Sequence, residues 1–168
     1  EIPFVLQVMS ENDTGWVTTW ASADGDETSS PTASAAQVGL NRALEAGAHP
    51  VAETIGWIAI ESNLDVVFEG VRFQTTITGA TIDSSLNAIS WSPFATVPDG
   101  IVCSQQTMLD DEGSWTVGDE NLLENLTVIH SEESVPGGNT THGGEIVAGI
   151  AFEEFLSSPA LSVSPYTV

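Results

Sequence analysis

Residues 53–61, ETIGWIAIE, align without a gap to residues 145–153, EIVAGIAFE. Each stretch opens on a glutamate and continues through small, aromatic and β-branched apolar residues, a composition that suits a strand. A histidine stands ahead of each, His49 four residues before Glu53 and His142 three before Glu145. Farther out, VLQVMSENDTGWVT (5–18) is similar to IVCSQQTMLDDEGSWTV (101–117), with Pro3 matching Pro98, and AAQVGLNRALEAG (35–47) is similar to NLTVIHSEESVPGG (125–138). Each unit reads strand, acidic turn, Trp strand, variable loop, strand, His/Glu turn, long strand. Such self-similarity predicts two related halves, about 3–61 and 93–154, sharing one core within a single domain over 1–168.

The rest of the chain repeats this β-rich texture. Helical periodicity is nearly absent; Leu40 to Ala46 offers one short helical turn, bracketed by Gly39 and Gly47. The apolar segments are short, rich in Val, Ile, Trp and Phe, and separated by Gly, Pro, Asn and Asp. Strands are expected at Phe4–Met9, Trp16–Trp20, Gln37–Asn41, Thr54–Glu61, Leu64–Gln74, Leu86–Trp91, Ile101–Gln106, Leu126–His130, Glu145–Phe152 and Leu161–Tyr166. Short strands spaced by turn residues predict an all-β fold, an antiparallel β-sandwich built from the two halves. Ala23 to Ala35 is expected to be a solvated loop.

The halves are unequal. The second is preceded by VVFEGVRFQTTITG and LNAISWSPF, whereas almost nothing precedes Pro3 in this sequence, so the first half is expected to lack one strand at its N-terminal side. A strand-like tail, 157–168, follows the second half; Leu161 and Val163 alternate with Ser162 and Ser164, and Pro159 and Pro165 suit an edge position. That tail either closes the gap of its own chain or fills the gap of the next one, the latter being strand addition between subunits.

Composition restricts the partners. Twenty-four acidic side chains face two basic ones, Arg42 and Arg72, with no lysine, for a formal charge of −22 over 168 residues. Such dense like charge opposes the compact state, and at about 1 M salt the Debye length falls to about 3 Å and relieves it. A brine-adapted protein is the expectation, with an acidic secreted protein held by calcium or by neighbours as the alternative. Nothing here neutralises phosphates, which argues against nucleic acid and anionic membranes as partners. No apolar run approaches the ~20 residues of a membrane span. No basic region followed by an apolar segment is visible, so a secreted form is expected to be the mature chain. Cys103, the single cysteine, precludes an internal disulfide and reads as a small buried hydrophobe.

The pattern VLQVMSENDTGWVTT, QVGLNRALEAG, HPVAETIGWIAIE, matched by SEESVPGGNTTHGGEIVAGIAFEE, resembles repeat units of H-type-lectin-like domains found in large secreted microbial proteins. The resemblance covers roughly 3–61 and 93–154. It implies a small antiparallel β-sandwich and allows glycan binding, although the aromatic and basic residues that line such sugar sites have no clear match.

Candidate sites are few. His49 with Glu53 and His142 with Glu145 are imidazole–carboxylate pairs of the kind that ligate divalent metals, or histidine–glutamate bonds that pin the turn before a buried strand. Asp24-Gly25-Asp26-Glu27, Asp110-Asp111-Glu112-Gly113 and Asp119-Glu120 are oxygen-rich turns compatible with Ca2+ as a possible cofactor, though none follows the EF-hand order. Asn12, Asn125 and Asn139 open N-glycosylation sequons. Of the five tryptophans, Trp16, Trp57 and Trp115 are expected in the core, and Trp20 and Trp91, flanked by polar residues, are the candidates for stacking on sugar. No nucleophile elbow, metalloprotease helix, P-loop or dinucleotide fingerprint is present, so no catalytic residue is assigned and no enzymatic activity is expected.

Together these features predict an extracellular structural subunit of a surface filament, pilus-like fibre or virion exterior. Copies of the chain would join by strand addition, with Leu161, Val163 and Tyr166 as assembly residues. A lectin-like adhesion module that binds glycans is the alternative.

Overall fold

The computed structural model of the chain describes residues 2–13, 15, 17–42, 51–91, 94, 98–110, 114–118, 126–132 and 141–154. These residues form an all-β structure of small antiparallel sheets. The strands are β1 (Phe4–Val8), β2 (Val17–Ser22), β3 (Gln37–Arg42), β4 (Ile55–Ala59), β5 (Asp65–Phe68), β6 (Val71–Ile77), β7 (Asn87–Ser90), β8 (Gly100–Gln105), β9 (Trp115–Gly118), β10 (Leu126–Glu132) and β11 (Val147–Glu154). They pair as β1-β4, β2-β3, β7-β10-β9 and β5-β6-β11-β8.

One expected strand, Leu64–Gln74, is in fact a hairpin. Glu69 and Gly70 both take positive φ, 49° and 83°, the signature of a two-residue turn whose twist matches its flanking strands. Phe68 therefore faces Val71, and the side-chain alternation reverses at the turn. Across the hairpin the Arg72 guanidinium grips both oxygens of Asp65 at 2.7 Å. The expected strand Leu161–Tyr166 lies outside the described residues, as does most of the helical turn expected at Leu40 to Ala46.

Register relates the β1–β4 pair to the β8–β11 pair. Val8 pairs with Ile55 and Val5 with Ile58; correspondingly, Gln105 pairs with Val147 and Val102 with Ile150. The ladders continue alike past the strands, the Met9 amide donating to Thr54 and the Gln106 amide to Ile146, both at 2.7 Å. Beside these sit β2–β3 and β9–β10, each an antiparallel pair.

Two apolar clusters lie against these pairs. The larger joins Ile82, Ile89, Trp91, Phe94, Val147 and Ala151, with Ile101 and Cys103 packed on it. Burial pushes the Cys103 thiol up to about 12, as a neutral buried hydrophobe requires. The smaller cluster holds Phe4, Leu6 and Ala21, backed by Ile2 and Ile55. Two aromatic rings lie over cross-strand glycines, Trp20 on Gly39 and Phe152 on Gly100, covering backbone that has no side chain of its own.

Candidate functional site: an open strand edge

Two glutamates anchor the strands that define the site. Glu53 receives the Ser10 hydroxyl and the amides of Asn12 and Asp13, at 3.1 and 2.6 Å for the amides. Glu145 receives the Thr107 hydroxyl at 2.6 Å and the amides of Leu109 and Asp110 at 2.7 and 3.0 Å. The hydroxyls in turn accept the next amide along, Thr54 on Ser10 at 2.7 Å and Ile146 on Thr107 at 3.0 Å. Asp13 accepts the Val51 amide at 2.7 Å and Asp110 the Gly143 amide at 2.8 Å. Each glutamate thus ties the start of one strand to the acidic turn after its partner. The Ser10 hydroxyl, followed by the two amides, holds the Glu53 carboxyl below the usual carboxylate range.

At the second pair, the Glu145 oxygens are occupied by hydroxyl and backbone donors rather than by the expected His142. The Nδ1 of His142 lies 2.9 Å from the Gly143 carbonyl, and His49 is outside the described residues. Among the described residues, no three His, Cys, Asp or Glu side chains gather as a metal site.

From these matched anchors the two strands diverge. Strand β11 has two neighbours, β8 and β6; β4 has one, β1, among the described residues. Antiparallel alternation fixes which backbone groups are left over. Thr54 and Ile60 bond toward β1, so Ile55, Trp57 and Ala59 turn their N–H and C=O groups to the outer edge. At the matching position in β11, the Val147 carbonyl accepts the amide of Thr78, just past β6, at 2.9 Å. Strand β3 likewise has β2 alone among the described residues, whereas β10 has both β9 and β7.

Burial follows the pairing. Ile150 is 7% exposed and its counterpart Ile58 is 54% exposed. Ala151 is fully buried, whereas Ala59 is exposed. Trp91, just after β7, lies against Gly149, so a methyl there would meet its ring at 2.8 Å. The β4 residue matching Gly149 is Trp57, which tilts against Phe4 at 5.9 Å and remains 62% exposed. Between Ile2, Ala33, Ala59, Ile60, Glu61 and Ser62 lies an open groove of about 410 Å³. The site is therefore a strand whose outward backbone groups meet no strand among the described residues, with exposed apolar side chains and a groove beside it. That is the equipment for accepting another strand.

The other candidates fall elsewhere. Trp91, expected to stack on sugar, is fully enclosed in the larger cluster and presents no face to a ligand. Trp20 is half-buried over Gly39. Trp57, expected in the core, is the exposed indole; its apolar strand context gave no hint that its neighbour would be lacking. Asn12 is exposed, and its amide nitrogen donates to the Ala52 carbonyl at 2.9 Å. Asn125, Asn139, Leu161, Val163 and Tyr166 lie outside the described residues. In the expected calcium loop, Asp24 accepts the Ser29 hydroxyl at 2.6 Å and Asp26 the Thr28 hydroxyl at 2.7 Å, bonds that hold both carboxyls below their usual range. The Asp111–Gly113 and Asp119–Glu120 turns are outside the described residues.

No protein-family model, curated protein or solved structure matches the chain.

Proposed function

We propose that this chain is an extracellular structural subunit of a surface filament, pilus-like fibre or virion exterior, assembled by β-strand addition between subunits. The observation that carries the reading is the contrast between β11, completed by β6, and β4, whose outer edge has no strand among the described residues. In the proposed fold, an antiparallel sandwich of two related halves, the first half is incomplete by a strand. The matched register and the matched glutamate anchors support that view of the halves.

Energetics favour filling the edge. Met9, Trp57 and Ile58 are all more than half exposed and lie on or beside β4. Covering a large apolar side chain is worth about 1.5–3 kcal/mol. A docked strand would also satisfy the outward backbone groups of Ile55, Trp57 and Ala59. The −22 charge and the absence of lysine fit a subunit working in brine, where screening lets such acidic copies approach.

Sedimentation and negative-stain microscopy in ~2 M salt, where the Debye length is only a few Å, test the proposal on the full chain and on a version ending at Leu156. Fibres from the full chain and none from the shortened one support it. The same small particle from both excludes polymerisation by the tail.

A second reading is a lectin-like glycan-binding module, favoured by the exposed indole of Trp57, since sugars stack on such faces. Glycan-array binding that is lost in Trp57→Ala, with no fibres under any salt condition, selects it.

A further inference from the structure

The strand that fills the β4 edge can be specified, with its register. Strand β6 comes after the first half in the chain yet completes the second, pairing with β11. The segment beyond β11 stands in the same relation to the second half. Residues 61–76, ESNLDVVFEGVRFQTT, and 153–168, EEFLSSPALSVSPYTV, align without a gap, matching Glu61 with Glu153, Leu64 with Leu156, Val71 with Val163 and Thr75 with Thr167. In this alignment residues 163–168 correspond to residues 71–76 of β6.

Resting on the filament reading, we infer that residues 163–168 of a second copy add to β4 antiparallel, with Tyr166 opposite Ala59 and Val168 opposite Trp57. These pairs carry over Gln74↔Ala151 and Thr76↔Gly149 from the β6–β11 ladder. Directly opposed residues share a face, so Tyr166, the chain's single tyrosine, enters the groove bounded by Ile2, Ala33, Ala59 and Glu61. Pro165 fits this register. It takes the place of Phe73, and the neighbouring Thr75 donates its amide to Leu64, away from β11. Phe73 turns the same way by the alternation, so proline at that position removes no bond to the acceptor strand.

The donor comes from another copy because the halves meet head to tail. The Gln106 side chain is fully buried and brackets Phe4, accepting from its amide at 2.9 Å and donating to its carbonyl. A two-fold relation would make this reciprocal, setting Met9, the residue matching Gln106, on Ile101. Met9 is instead 65% exposed. A head-to-tail relation does not close after two units. It continues into the next chain, where the β4 edge, with the exposed Met9, Trp57 and Ile58 on or beside it, receives the donor.

The test is cysteine cross-linking in a Cys103→Ala background at ~2 M salt, chosen to screen the acidic copies from one another. One chain carries Ala59→Cys, another Tyr166→Cys, and a third carries both. Opposed antiparallel residues lie about 5.5 Å apart at Cα, within disulfide reach. The expected result is a dimer from the two single variants mixed and a ladder of linked oligomers from the double variant. Ala59→Cys with Thr167→Cys, one residue out of register and on the opposite face, should not link. A double variant that links only within its own monomer overturns the second-copy donor, as does a shifted pair that links equally well for the register. Fibres seen by microscopy without the 59–166 link overturn this inference alone. Absence of both fibres and links overturns the filament reading with it.

Discussion

Glu145 and Thr107, 38 residues apart, meet through a 2.6 Å hydrogen bond from hydroxyl to carboxylate, in a site closed to solvent. Thr107 sits just past β8 and Glu145 just before β11, so this bond and the two amides beside it fix where the β8–β11 ladder begins. Ser10 and Glu53 form the same relationship at the β1–β4 pair. A strand that slips by one residue exchanges its buried face for its solvent face, and the anchor prevents this.

Glu145→Ala should therefore destabilise the protein by about 2–3 kcal/mol, because the buried Thr107 hydroxyl and the part-buried amides of Leu109 and Asp110 lose their acceptor. Glu145→Gln, which keeps one acceptor oxygen, should cost less. Glu53→Ala, at a half-exposed site where water substitutes, should cost less than Glu145→Ala. Urea unfolding in ~2 M salt, a screened condition, ranks the three.

Acid should erase the difference between wild type and Glu53→Gln. The folded carboxyl of Glu53 is held below its unfolded value. Its stabilisation is therefore fully present above the unfolded value and is lost as the pH falls through the lowered folded one. The gap in melting temperature should be largest near neutrality and should shrink below a pH of about 4, the ordinary range for glutamate. A gap that stays constant down to a pH of about 2.5, well below that range, would show that the charge of Glu53 is irrelevant to its bonds.

Gly149→Ala should cost about 1–3 kcal/mol through overpacking. The added methyl meets the Trp91 ring at 2.8 Å and the Cys103 sulfur at 3.2 Å, both held within the larger cluster. Gly56→Ala is the control, since there the nearest atoms belong to the flexible, exposed Met9 side chain. Differential scanning calorimetry of the two variants should show a depressed transition for the first alone.

Raising sodium chloride from ~0.1 to ~2 M should stabilise the fold, since it shortens the Debye length from about 10 Å to below about 3 Å around a chain of charge −22. Sucrose, which strengthens burial without screening, separates the two effects. Equal stabilisation by sucrose and by salt would remove charge repulsion as the cause.

Most of the strands were legible in the sequence, because period-two apolar patterns and turn residues are local signals. The pairing of ETIGWIAIE with EIVAGIAFE led straight to β4 and β11, and the anchoring glutamates lie at its first positions. The hydroxyl and backbone donors on Glu145 were not legible, since amides carry no sequence signature. The hairpin at Glu69-Gly70 was missed because the residues on both sides of it are equally strand-like.

The sequence by itself determined that this chain is β-rich, internally similar and strongly acidic. Only the tertiary structure decided which of its apolar residues are covered and which are exposed. Trp57 sits within an apolar strand and Trp91 between two serines, yet Trp91 is enclosed and Trp57 is open. Burial is set by neighbours distant in the chain, and an identical strand is core or edge according to whether another strand lies beside it.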